Sequence, residues 1–219
     1  MPRANKESFA KALQSLLRKY ELDRDTYISP EYNEAQARSQ FISPFFRALG
    51  WDVENEAGVP YNLCDVWEEK GETHGRPDYT FRLDAQTKFF IEAKAPCPDV
   101  SNVDHILQTK RYAWNSRDVF YAGLFDFEEI LFFDASLEPD ERRPRDGEAF
   151  HLIFNEYLSN IGGWHSLNSL VLFGVAYPLR FCFAKGGAFD FAFFLFVSHP
   201  QKPFNRPNSR LTPIFDHSL

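Results

Sequence analysis

Gly75-Arg76-Pro77-Asp78-Tyr79-Thr80-Phe81, followed by Phe89-Phe90-Ile91-Glu92-Ala93-Lys94-Ala95-Pro96, is the stretch on which the reading of this sequence turns. Tyr79–Leu83 and Phe89–Ala93 are rich in the residues that favour a pleated, half-buried backbone, and they predict two strands. Asp84-Ala85-Gln86 between them predicts a hairpin turn, which folds the second strand back beside the first. Side chains two apart on a strand share a face. Glu92 and Lys94 therefore point the same way, and Asp78 stands where the first strand begins. Three polar groups converge at one end of the hairpin. Two carboxylates make an oxygen-rich site suited to Mg²⁺, which prefers hard ligands and keeps several waters. Such an ion polarises a phosphate and lowers the pKa of a bound water. Lys94 is placed to orient that water and to offset the negative charge that develops on the phosphate. The competing reading makes Glu92 and Lys94 a solvated face of an edge strand and Asp78 a turn residue, and Glu-x-Lys alone is too common to decide. Phe89-Phe90-Ile91 weighs against it, because a buried strand that runs into unpaired charge is costly unless the charge has a task.

Downstream, a helix follows the Pro96/Pro98 stretch, with Ser101 and Asp104 as a capping box and Ile106, Leu107 and Ala113 as its apolar face. Gln108 and Tyr112 lie at i and i+4 and share a helix face. An amide and a phenol there can donate to phosphate oxygens, and Lys110 and Arg111 add charge for DNA binding. The alternative is a tyrosine packed on the sheet and a glutamine in water. Upstream, Asn5 caps a first helix carrying Phe9, Leu13, Leu16, Leu17 and Tyr20 at helical spacing. A second helix runs from about Glu34 towards Leu49, is kinked or restarted at Pro44, and ends at Gly50. Glu34 is either a third carboxylate of the site or a first-turn acid facing the helix dipole. Further strands are expected at Trp51–Glu56, Val66–Glu68, Val119–Phe125 and Ile130–Asp134, the last two joined by Asp126–Glu129. Pro139–Gly147 is charged, contains proline and has no aliphatic residue, so it is a loop or linker. The whole predicts an α/β domain with a central sheet of four or five strands flanked by helices.

The chain has 219 residues and a formal net charge of -7. Proteins that hold nucleic acid by bulk electrostatics are basic, so this one is expected to use a local patch, a metal ion or a partner. Cys64, Cys97 and Cys182 are odd in number and form no C-x-x-C, which argues against a disulfide framework or a zinc site and for a reducing, cytoplasmic compartment. The N-terminus has no apolar signal region. No G-x-x-x-x-G-K-[ST], G-x-G-x-x-G or G-x-S-x-G occurs, so no nucleotide site is expected. Residues 157–219 carry five basic and two acidic residues against a balance of -10 for residues 1–156, and hold 10 of the 24 Phe. Their longest uncharged run, Ser166–Leu179, is too short to span a bilayer. A membrane role is the weakest reading. These residues read instead as an atypical tail, truncated or out of frame, that packs poorly on the rest.

The run from Glu34 to Asp134 resembles the N-terminal PD-(D/E)xK nuclease domain of type I restriction enzyme R subunits and of type IIG restriction–modification enzymes. The matching pieces are Glu34, Phe45-Phe46-Arg47-Ala48-Leu49-Gly50-Trp51, Gly75-Arg76-Pro77-Asp78-Tyr79, Ile91-Glu92-Ala93-Lys94, Gln108 with Tyr112, and Phe125-Asp126-Phe127-Glu128-Glu129. The resemblance implies a restriction-endonuclease-like fold and Mg²⁺-dependent hydrolysis of DNA. Asp78, Glu92 and Lys94 are then catalytic, with Asp78 and Glu92 on the metal, and Gln108, Tyr112 and Glu34 support them. It also implies partners beyond DNA, since such nuclease domains are followed by helicase or methyltransferase and specificity modules. The expected organisation is a helical segment over 1–30, the nuclease domain over 31–138, and a linker and tail over 139–219. The competing class is an inactive restriction-enzyme fragment that serves as an interaction module or has no function.

Overall fold

In the computed structural model, which describes residues 5–69, 76–97, 100, 102–116 and 119–162, the expected hairpin is the centre of a sheet. The strands are β1 (Val66–Glu68), β2 (Tyr79–Leu83), β3 (Gln86–Ala93), β4 (Tyr121–Phe125), β5 (Glu129–Asp134) and β6 (Glu148–Ile153), hydrogen-bonded in that order. All neighbours are antiparallel except β3 and β4, which are parallel. A parallel pair needs a crossover, and the helix α5 (Val103–Trp114) supplies it. The two-residue turn between β2 and β3 places Asp84 and Ala85 at φ 50° and 64°, the left-handed conformation that a tight hairpin demands.

The sheet carries helices on both faces. On one side lie α1 (Lys6–Leu22) and a broken helical segment made of α3 (Glu34–Ala37), a π turn (Arg38–Ile42) and α4 (Ser43–Ala48); the short α2 (Arg24–Tyr27) follows α1. Phe9, Leu13, Phe41, Phe45 and Phe46 meet Tyr79, Phe81, Phe89, Ile91 and Phe125 there in one apolar cluster. On the other side α5 sets Ile106 against Leu124, Leu131 and Phe133, and Ala113 against Phe90 and Ala122. This is the α/β, restriction-endonuclease-like arrangement expected: a mixed sheet flanked by helices.

Pro44 breaks the second helix as expected, through a π turn. Proline has no N–H for the carbonyl four residues back. Ser43 N–H instead bonds Arg38 O, one residue further away, and Gln40 O accepts from Lys19 Nζ at 3.3 Å. Gly50, at φ 100°, closes the segment; its N–H bonds Arg47 O and the Trp51 N–H bonds Phe46 O, which satisfies two terminal carbonyls.

Three expectations need correction. Trp51–Glu56 is not a strand: the Asp52 carboxylate accepts from Glu56 N and Ala57 N at 2.7 and 3.0 Å, and these local bonds curl the chain. The sheet has six strands rather than four or five, because Glu148–Ile153, unrecognised in the sequence, pairs with β5. The helix α5 is capped by Asn102, whose side chain accepts from Asp104 N at 2.9 Å; Ser101 lies outside the described residues. Residues 163–219, which hold most of the anomalous tail, also lie outside them. Among the described residues no helix is long and apolar enough to cross a membrane.

Tyr157 is fully buried in the helix-side cluster and donates to Phe127 O at 3.2 Å. Tyr157→Ala is expected to lower stability by about 3–5 kcal/mol, read as a fall in Tm of about 10 °C. Tyr157→Phe, which keeps the ring, is expected to lose only about 1 kcal/mol. Equal melting of the wild type and the alanine variant would show that the segment after β6 is not part of the core.

Candidate active site

Asp78 immediately precedes β2. The β2–β3 register pairs Tyr79 with Ile91, and one step further it sets Asp78 opposite Glu92. Residues directly opposed across an antiparallel pair share a face, with Cβ atoms about 5 Å apart. Asp78 is held from two sides: Arg38 Nη1 donates to its Oδ1 at 2.9 Å and Ala93 N–H to its Oδ2 at 2.8 Å. The same guanidinium reaches Glu68 Oε1 at 3.1 Å and Glu69 O at 2.8 Å. Arg38 leaves the helix at its π turn and ties it to β1 and to the mouth of the hairpin.

Glu92 ends the buried run on β3 and is itself buried, with 5% of its surface exposed. Its Oε1 accepts from Lys94 Nζ at 2.6 Å and from Gln108 Nε2 at 2.9 Å. Its Oε2 has no hydrogen-bond partner. Gln108 Nε2 also lies 2.9 Å from Tyr112 Oη, so the i, i+4 pair on α5 acts together on the sheet. Glu34, at the start of α3, reaches Lys94 Nζ at 3.7 Å. Asp78, Glu92, Lys94, Glu34, Gln108 and Tyr112, picked from the sequence, thus form one connected cluster.

Its charges do not balance. Among the described residues, Glu34, Glu68, Asp78 and Glu92 share two paired cations, Lys94 and Arg38. Burial and the neighbouring Asp78 carboxylate push the Glu92 pKa up to about 7. Burial likewise raises Asp78, against the lowering effect of the Ala93 N–H and Arg38, and burial with the Asp78 charge raises Glu34. Burial acting alone lowers a lysine; here the Glu92, Glu34 and Asp78 carboxylates outweigh it and Lys94 stands above its ordinary value. Lys94 is held as a cation among carboxylates that are partly driven towards neutrality.

The two residues expected to bind DNA lie outside this cluster. Lys110 was expected on the DNA-facing surface but is buried, with 2% exposed, and donates to Pro144 O at 3.0 Å and Asp146 O at 2.8 Å. It ties α5 to the loop before β6. Arg111 is exposed and pairs with Glu141 at 3.2 Å. Arg38 and Glu68 are the site residues the sequence reading missed. The available signals were the i, i+4 spacing of Arg38 from Glu34 and the acid that ends Val66-Trp67-Glu68. Among the described residues no group of three or more His, Cys, Asp and Glu is arranged to hold a metal ion.

The Glu92 pKa gives a sign for the pH dependence of stability. An acid raised from 4.5 in the unfolded chain to about 7 in the fold favours folding fully below the lower value and loses that contribution as pH rises through the upper one. Glu92→Gln removes the titration. Going from pH 5 to pH 8, the stability of the wild type relative to this variant is expected to fall by on the order of 2–3 kcal/mol. Parallel melting curves for the two proteins across that range would show that Glu92 is not held near neutrality.

No protein-family model matches the chain, and no solved structure matches it. Among curated proteins, it is similar to the "Type II restriction enzyme and methyltransferase RM.Eco57I" of Escherichia coli, with 40% identity over 136 residues. That match covers 59% of this chain and 14% of the far longer relative. Over this stretch the chain is related to a restriction–modification enzyme.

Proposed function

We propose that this α/β unit is a PD-(D/E)xK-type nuclease of a restriction system, which hydrolyses DNA phosphodiesters with Mg²⁺. The observation that carries the reading is the unpartnered Oε2 of buried Glu92, opposite Asp78, in a cluster whose carboxylates outnumber its cations. A buried carboxylate oxygen without a partner is unfavourable unless a cation completes it. The residues fit Mg²⁺, which is commonly held by one or two carboxylates with waters filling the remaining positions. Asp78 and Glu92 would hold it. When bound there, it supplies polarisation of the phosphate and activation of water.

The protein groups do the rest. Arg38 and the Ala93 N–H fix the Asp78 carboxylate, and Gln108, braced by Tyr112, fixes Glu92. These are positioning residues. Lys94 donates to the attacking water and offsets the charge that grows on the phosphate as the P–O bond breaks. Glu34 keeps the ammonium oriented. With a net charge of -7 the chain attracts DNA weakly. Recognition and tight binding then fall to partner modules, in keeping with the methyltransferase named in the relative.

Plasmid nicking at low salt with Mg²⁺ or Mn²⁺ tests the reading. The wild type is expected to nick with little sequence preference, most readily at low salt. Lys94→Ala is expected to abolish nicking and leave Mg²⁺ affinity near the wild-type value, whereas Asp78→Ala is expected to abolish both. Gln108→Ala is expected to lower nicking by about 10–100-fold, the usual effect of removing a support to a metal ligand, with Tm nearly unchanged. A folded wild type inactive in both metals would favour the interaction module. Equal nicking by all variants would remove Asp78 and Lys94 from the site.

A further inference from the structure

Beside the acidic cluster, β1 carries an aromatic stack that the proposed hydrolysis does not use. Trp67 pairs with Thr80 in register, so it shares a face with Thr80 and Asp78, the face that carries the site. The Tyr61 ring, from the 3-10 turn Tyr61–Leu63, lies parallel to Trp67, with centroids 5.0 Å apart and planes 3° apart. The Arg82 guanidinium lies over Trp67, 3.7 Å from the ring centroid. Arg82 and Tyr61 cannot occupy the same side of the indole at those distances without overlapping, so the order is Arg82, Trp67, Tyr61, solvent.

The stack is fixed. Arg82 is buried and donates to Asn62 O at 2.9 Å and Ala85 O at 2.8 Å, and Trp67 Nε1 donates to Tyr61 O at 2.8 Å. These bonds explain Arg82 and Trp67 as anchors of the turn. They do not explain the outermost ring: Tyr61 is 72% exposed, and with one face stacked on Trp67 that exposure falls on its edge and its other face.

We infer that the outer face of Tyr61 stacks an unpaired nucleobase of the DNA strand that enters the site. The inference rests on the nuclease reading for the choice of DNA. Three observations support it. Trp67 stands two residues along and one strand across from Asp78, about 8 Å by strand geometry, which is two to three base steps of about 3.4 Å. Burial of Arg82 behind Trp67 adds a cation at the base of the stack, which favours an electron-rich partner on its open end. A chain of net charge -7 draws little affinity from phosphates, and stacking supplies affinity that does not depend on net charge.

The test is binding, measured in EDTA so that neither metal nor cleavage enters. Fluorescence anisotropy with a labelled single-stranded 12-mer is expected to show about tenfold weaker binding for Tyr61→Ala than for wild type, and near wild-type binding for Tyr61→Phe. A 12-mer of the same backbone with abasic sites is expected to bind wild type and Tyr61→Ala equally, and a fully paired duplex likewise. Equal single-strand affinity for wild type and Tyr61→Ala overturns the inference, as does equal affinity of the wild type for the abasic and natural strands. Tighter binding of the RNA 12-mer than of the DNA one overturns the assignment to DNA. The abasic comparison uses only the wild type and stands whether or not a variant folds. Failure of the nuclease reading shows as absent nicking, whereas failure of this inference shows as base-independent binding, so the two remain separate.

Discussion

Asp78 faces Glu92 across the mouth of a hairpin, and two unlike donors hold it there. One is the Ala93 N–H on the partner strand; the other is Arg38, which comes from the helical layer on the opposite side of the sheet. The first bond depends on the β2–β3 register and the second on the break at Pro44. A slip of one residue in that register would turn every side chain on the strand to the other face. It would bury Asp78 among phenylalanines and push Phe89 and Ile91 outwards. The aromatic cluster between Phe46, Phe81 and Phe89, with centroids 4.3 Å apart for the last pair, makes that slip expensive. Packing of the helix-side layer therefore sets the geometry of the carboxylates.

The cluster itself opposes folding. Carboxylates outnumber cations, one carboxylate oxygen is buried without a partner, and burial drives Glu92 towards the neutral form. Functional sites are commonly where such unfavourable terms are tolerated, because the scaffold around them is stable enough to hold them. Here the scaffold is a six-stranded sheet covered on both faces. Gln108 and Tyr112 extend the same logic onto α5, where a short hydrogen-bonded chain fixes the Glu92 oxygen that faces the helix.

The hairpin and its polar end were legible in the sequence because both signals are local: an alternating apolar pattern with a turn of the right length, and charges at a spacing of two. The same applies to Asn5 and to Gly50, whose roles follow from their immediate neighbours. Trp51–Glu56 misled because its alternation looks like a strand, while Asp52 offers the backbone closer partners than another strand does. Glu148–Ile153 was overlooked because it is short and follows a charged loop, and only its pairing with β5 makes it a strand. Lys110 and Arg38 show a different gap. A sequence says that a side chain is charged but not that distant carbonyls or carboxylates await it, and such partners come from tertiary structure alone.

Lys110 has a consequence for how variation in this protein is interpreted. Its ammonium is buried against the Phe133 ring, and two main-chain oxygens from the loop between β5 and β6 accept its hydrogen bonds. Main-chain oxygens do not change when residues are replaced, so these two bonds depend on the side chain at position 110 and not on those of Pro144 and Asp146. A lysine held invariant there across relatives would report an architectural constraint, the anchoring of a loop to the helix that bears Gln108, and not contact with nucleic acid. An insertion between Pro144 and Asp146 would carry at least one of those oxygens away from the ammonium.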